Sequence, residues 1–285
     1  MITFGPGGNS TSFGKRKFPE QLPEYLLEMG LNGYEVECGR GIRIAEKTYE
    51  KLPDLAKQHG IYVSLHTPYF ISLSSENEET RLKSVSYILE SAQAAKRLGA
   101  EKIVVHSGSC AKMSREAALE LAKDTLLKAQ QALDENGLSE IRICPETMGK
   151  INQLGTLSEV MELCGIDDRF LPCVDFGHLN ARTLGGIKTV EDYAAILDEI
   201  EQKLGFERLK NMHVHFSRIQ YTAGGEKCHL TFADKEFGPE PQPLMELFAK
   251  RGLEPSVICE SAGTQAEDAA EMKKMYEKYF SERNF

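Results

Sequence analysis

Residues 171–180, Leu-Pro-Cys-Val-Asp175-Phe-Gly-His178-Leu-Asn, form a short apolar run that reaches an acid, turns at Gly177 and presents a histidine three residues later. If Leu171 to Val174 is a buried strand, Asp175 marks its C-terminal end and His178 stands in the loop above. A carboxylate and an imidazole leaving one strand end make half of a metal site. Taken alone, the stretch reads first as an ordinary strand with a capping Asp and a solvated loop His. Similar strand endings recur along the chain, and their recurrence shifts the balance.

Short β-like runs alternate with longer amphipathic ones. The expected strands cover 2–5, 34–38, 62–66, 102–106, 142–146, 171–175, 211–215 and 256–260. The expected helices cover 19–29, 48–59, 79–98, 114–136, 158–164, 190–204 and 243–251, with 267–279 after the last strand. Eight β-then-α units without a linker or low-complexity break predict an α/β fold, a (β/α)8 TIM barrel spanning residues 1–285 as a single domain. The alternative, an open doubly wound sheet, would more often carry a Gly-rich phosphate turn after its first strand. Gly5-Pro6-Gly7-Gly8 lacks that spacing.

In such a barrel, chemistry sits at the C-terminal strand ends. Strands three to eight deliver His66, His106, Glu146, Asp175, His213 and Glu260 to one rim. Each alone has an ordinary structural explanation. Jointly, three crowded carboxylates repel one another unless a cation separates them. Mixed imidazole and carboxylate donors suit Zn2+, with Mn2+ and Fe2+ as competitors. With His178 and His229 added, and Glu226 and His215 in reserve, the donors exceed the three or four that one ion takes. Two or three ions follow, bridged by a carboxylate such as Glu146. Clusters of that kind suit phosphoester hydrolysis.

Composition narrows the setting. Apolar content of 41% and charged content of 27% are ordinary for a soluble protein. The start of the chain lacks a signal pattern, and no apolar run approaches a membrane span. Seven scattered cysteines without a Cys-x-x-Cys pair indicate reduced, mostly buried thiols and a cytoplasmic protein. Cys144 and Cys173, two residues before Glu146 and Asp175, read as core fillers beneath the rim. A net charge of −9 argues weakly against a general polyanion binder, although bound cations are missing from that sum. No Ser lies in a G-x-S-x-G elbow, so a hydrolytic triad is not indicated.

Several stretches then match a known family. Leu65-His66-Thr-Pro-Tyr69, Val105-His106-Ser-Gly-Ser109, Glu146-Thr147, Asp175-Phe-Gly-His178, Met212-His213 and Cys259-Glu260-Ser261 resemble endonuclease IV. That family consists of metal-dependent apurinic/apyrimidinic (AP) endonucleases of base-excision repair. The resemblance implies one zinc on His66, His106 and Glu146, and a second on Glu146, Asp175, His213 and Glu260. A third would sit on His178 and an Asp-x-His pair, of which His229 supplies the histidine. Lys227 occupies the aspartate position, leaving Glu226 or His215 as substitutes. As catalytic residues, Glu146 would hold the ion pair while Glu260 and Asp175 position the nucleophile and an ion.

The resemblance further implies DNA-probing residues: Arg40 after the second strand, Tyr69 and Phe70 after the third, and Ser109 after the fourth. An aromatic wedge with an arginine can enter a base stack and hold a kinked duplex. An abasic nucleotide has no base to unstack and is the cheaper one to extract. Lys15-Arg16-Lys17 and Lys112 are candidate phosphate contacts. The resulting expectation is a monomeric, non-membrane hydrolase acting on double-stranded DNA with abasic lesions. A one-ion sugar isomerase or epimerase needs only Glu146, Asp175, His213 and Glu260 and remains the alternative. An impaired damaged-DNA binder is the third reading.

Overall fold

The computed structural model describes residues 1–283. The first half of the chain contains β1 (Thr3–Pro6), α1 (Leu22–Glu28), β2 (Gly33–Glu37), α2 (Glu46–His59), β3 (Tyr62–His66), α3 (Glu78–Leu98), β4 (Lys102–His106) and α4 (Arg115–Glu135). Next come β5 (Arg142–Glu146), α5 (Leu157–Cys164), β6 (Cys173–Asp175), α6 (Phe176–Arg182), α7 (Val190–Leu204) and α8 (Phe206–Lys210). The remainder is β7 (His213–Phe216), β8 (Ile219–Thr222), β9 (Gly225–His229), α9 (Gln242–Arg251), β10 (Ser256–Cys259) and α10 (Gln265–Arg283).

β1 to β7 and β10 form one parallel sheet in the order β1-β10-β7-β6-β5-β4-β3-β2. Between its ends, Gly7 bridges Glu35 in parallel, and the Gly8 N–H donates to the Glu35 carbonyl at 3.0 Å. The fold is the expected α/β TIM barrel, nearly closed. Glycine permits this seam: a Cβ on Gly5 would lie 2.0 Å from the Gly33 carbonyl oxygen.

Local chemistry explains the helix starts. Asn77 and Ser114 cap α3 and α4, and Thr156 with Glu159 forms a capping box on α5. Gly60, Gly99 and Gly252 close α2, α3 and α9 in the left-handed conformation. The main apolar core fills the layer between sheet and helices, while Val104, Cys144, Leu171 and Cys173 form a separate cluster. Among the described residues, no helix is long and apolar enough to cross a membrane.

Two stretches depart from expectation. The strand at 171–175 shortens to three residues because Pro172 has no N–H for the ladder. The loop expected around His178 is the helix α6. The Asp175 carboxylate caps it, with Oδ1 accepting the His178 N–H at 2.8 Å. Gly177 does not turn the chain; it lets α6 pass the Ser217 carbonyl, which a Cβ would approach to 2.5 Å.

Candidate metal centre

Parallel registry brings the strand ends to comparable heights. His106 pairs with Glu146 across β4 and β5, Glu37 with His66 across β2 and β3, and Asp175 with His215 across β6 and β7. Glu146 lies at the centre. Its Oε2 is 3.5 Å from His66 Nε2 and 3.3 Å from His106 Nε2, and its Oε1 is 2.9 Å from His215 Nδ1. Asp175, His215 and Glu260 gather around the same carboxylate, with donor atoms within 4.8 Å of one another. A further group joins His178, Glu226 and His229, with His178 Nε2 3.4 Å from Glu226 Oε2. His66, His106, Glu146, His178, Glu226, His229 and Glu260 open into a cavity of about 420 Å3, lined also by Tyr69, Met148, Lys150 and Gln153, with Asp175 and His215 buried behind it.

The donor set fits divalent cations. Glu146 Oε2 and Asp175 Oδ2 are buried without a hydrogen-bond partner among the described residues. Such orphaned carboxylate oxygens are costly unless something positive faces them. The histidines are oriented for the same purpose. His66 Nδ1 and His178 Nδ1 donate to the carbonyls of Thr67 (2.8 Å) and Thr147 (2.9 Å), leaving each Nε2 turned toward a carboxylate.

Without a cation, the charges are strongly interdependent. Burial alone would raise Glu146, but His215 and His66 hold it well below the usual carboxylate range. Burial pushes Glu260 up to about 8; His215 opposes the rise while Glu146 and Asp175 add to it. Burial would lower His66, yet Glu146 and Glu37 carry it to about 10. Burial takes His106 down to about 3.

His213 differs from expectation. It faces inward, but it pairs in register with Cys173, one layer below Asp175, and its Nε2 contacts Glu35 Oε2 at 2.9 Å. His215, held in reserve from the sequence, joins Asp175 and Glu260 instead. Residues two apart share a strand face, and only the height of β7 against β6 distinguishes them.

The position of Lys227 also resolves structurally. In the β8–β9 hairpin, Gln220 pairs with Cys228 and Tyr221 with Glu226, so Lys227 is an extra, bulged residue. The bulge returns Glu226 to the face that carries His229. Glu226 thus stands where a carboxylate two residues before His229 would stand in a regular strand. Glu226 N–H donates to the Gly149 carbonyl at 3.0 Å, docking the hairpin on the loop after β5. Gly149 is required for this approach: a Cβ there would lie 2.6 Å from Glu226 Cβ and 3.0 Å from His178 Cδ2.

The expected DNA-probing residues occupy the same rim. Arg40 is exposed, and Tyr69 and Phe70 remain 57% and 50% exposed despite their size. Tyr69 stacks on His106 with ring centroids 5.3 Å apart, and Phe70 meets Tyr87 edge-on at 4.8 Å. Ser109 is tied into its own loop, its carbonyl accepting the Ser74 hydroxyl at 2.6 Å. Lys15 and Lys112 are exposed, whereas Arg16 pairs with Glu28 at 2.7 Å.

Residues 23–279 match the family model described as xylose isomerase-like TIM barrel. The chain belongs to that family. An uncharacterized protein of Methanocaldococcus jannaschii is 30% identical over 97% of each chain. A protein of Oceanobacillus iheyensis named "Probable endonuclease 4" is 26% identical over 74% of this chain and 72% of its own. Among solved structures, endonuclease IV from Thermus thermophilus superposes with a TM-score of 0.69 at 20% identity, covering 98% of this chain and 99% of that one. A D-tagatose 3-epimerase-like protein superposes with a TM-score of 0.71 at 20% identity, covering 100% of both chains. Proteins named for different chemistries thus share this barrel fold, and the fold alone does not choose between them.

The sequence reading overlooked Glu35 and Glu37. Both lie on β2 two residues apart, and Glu37 reaches the Glu260 carboxylate group. Two acids at alternate positions of a barrel strand were the available signal. Met148, Lys150 and Gln153 were also missed, because their loop is positioned by long-range contacts. Arg182 donates to the carbonyls of Met148, Lys150 and Gln153 at 2.6–2.8 Å.

Proposed function

We propose that this chain is a metal-dependent endodeoxyribonuclease that hydrolyses the DNA phosphodiester 5′ to an abasic site. One observation carries the reading: three adjoining donor groups (His66, Glu146 and His215; Glu146, Asp175, His215 and Glu260; His178, Glu226 and His229) border one cavity, with His106 Nε2 3.3 Å from Glu146 Oε2 beside the first. His66, His106 and Glu146 would hold one ion; Glu146, Asp175, His215 and Glu260 a second; His178, Glu226 and His229 a third. Zn2+ fits these donors, as do Mn2+ and Fe2+. When bound, such ions supply positive charge to the phosphoryl oxygens and make water acidic near neutral pH.

The chain's own groups complete the site. Glu146 keeps the two main donor groups in contact, and Asp175 and Glu260 flank it to orient the attacking water. Glu260 is 15% exposed, at the mouth of the cavity, where it can accept that water's proton. Tyr69, Phe70 and Arg40 on the rim would enter the duplex beside the lesion, and Lys150 would meet backbone phosphate. A lesion without a base costs least to turn into the cavity.

The tetrad Glu146, Asp175, His215 and Glu260 by itself also suits a one-ion sugar epimerase, and the likeness to the epimerase-like structure favours keeping that reading. Neither His66 and His106 nor the His178–Glu226–His229 group has a use in it. The test combines metal analysis with a duplex carrying one abasic analogue. The nuclease reading expects two or three ions per chain, and incision that chelation slows. One ion per chain with an intact duplex would overturn it.

A further inference from the structure

The buried Glu35 belongs to none of the three donor groups assigned above, yet it accepts three hydrogen bonds inside the barrel. Its Oε1 lies 2.8 Å from His215 Nε2, and its Oε2 lies 2.9 Å from His213 Nε2 and 2.7 Å from the Ser64 hydroxyl. Glu35, His213, His215 and Ser64 are all fully buried. An ionised carboxylate only accepts, so the Nε2 atoms that face Glu35 are assigned the hydrogen, with the two Nε2 atoms themselves 3.2 Å apart. For His213 this leaves Nδ1 as the free nitrogen, whereas His215 Nδ1 also faces a carboxylate and carries a hydrogen that a cation would displace. For His213 that nitrogen is 3.1 Å from the Ser256 hydroxyl, which in turn accepts from Lys102 Nζ at 2.9 Å. His215 Nδ1 points up at Glu146 Oε1, 2.9 Å away, and at Glu260 Oε2, 3.5 Å away.

We infer that Glu35 is a positioning residue that selects His215 Nδ1 as the metal-facing atom and holds His213 out of the cage. This rests on the metal-centre reading above and adds to it the residue that decides which strand-7 histidine, and which of its nitrogens, serves. The contrast with His66 and His178 supports it: backbone carbonyls pin their Nδ1 atoms and leave Nε2 free, whereas His215 is pinned from below and inverted. A carboxylate behind a ligating imidazole fixes its orientation and raises its basicity, and losing such a partner typically costs about 10–100-fold in metal affinity.

The alternative use of the same atoms is an interior ion held by His213 Nε2, His215 Nε2 and Glu35, with Cys173 nearby. Titration of the apoprotein with Zn2+, together with histidine 15N spectra of the loaded wild-type protein, separates the two. The inference expects Nε2–H on both His213 and His215, with His215 Nδ1 shifted by metal. Glu35→Gln can no longer accept from both rings, and should weaken one ion about 10–100-fold while leaving the ion on His66 and His106 in place. Glu35→Asp, which keeps the charge, should recover part of the loss. A wild-type protein that binds no Zn2+ would overturn the metal-centre reading and this inference together. Normal loading with Nδ1–H on His215, metal on the Nε2 atoms, or unchanged Zn2+ affinity in a folded Glu35→Gln protein would overturn this inference alone.

Discussion

At the scale of single residues, Glu146 and its histidine neighbours lead to two predictions. His106→Ala removes the Nε2 that faces Glu146 Oε2 at 3.3 Å. It should eliminate one bound ion and lower abasic-duplex incision by more than about 100-fold, the upper end for losing a mere outer partner. An unchanged incision rate, measured alongside metal content, would remove His106 from the site. The second concerns pH. In the metal-free protein Glu260 is raised to about 8 and His66 to about 10, so near neutrality both carry a proton that a cation must displace. Loading therefore releases protons, and apparent affinity should rise between about pH 6 and about pH 8. Calorimetry in buffers of different ionisation enthalpy counts those protons; uptake on binding would contradict the sign.

At the scale of elements, the β8–β9 hairpin explains how an atypical sequence still assembles a His-carboxylate-His group. Because Lys227 is the supernumerary residue, deleting it should regularise the hairpin and keep Glu226 on the face of His229. The third ion should survive that deletion. Glu226→Ala removes the carboxylate from that face and should release that ion alone, as metal counting would show. The helix α6 illustrates the same dependence. Asp-Phe-Gly-His was legible as an acid and a histidine leaving a strand, but not as a capped helix. Asp175 has one oxygen on the His178 N–H and the other without a hydrogen bond among the described residues, 3.3 Å from His178 Nδ1, so a single side chain both starts the helix and faces the donor group.

At the scale of the whole molecule, the barrel places its charged interior beneath an aromatic rim. Phe70 is half-exposed and meets Tyr87 edge-on, so Phe70→Ala should spare the fold and the ions. If it wedges into damaged duplex, its loss should weaken abasic-DNA binding by about 1–3 kcal/mol, the range for an aromatic stacked on a base. Fluorescence anisotropy against intact and abasic duplexes measures this; equal losses on both would assign Phe70 to general contact instead.

The sequence by itself determined the barrel, since the alternation of β-like and helix-like segments is a local property. Strands β3, β4 and β5 and helix α7 begin and end at the residues that this periodicity indicates. It also determined which residue types converge, because inward positions repeat every second residue along a strand. Tertiary structure decided the rest: His215 beside Asp175 and Glu260 where His213 was expected, Glu226 brought to the face of His229 by a bulge, and Glu35 buried against both histidines. Each depends on the height of one strand against its neighbours. That height is set by packing and hydrogen bonding between segments as distant as Glu35 and His215, which no local pattern encodes.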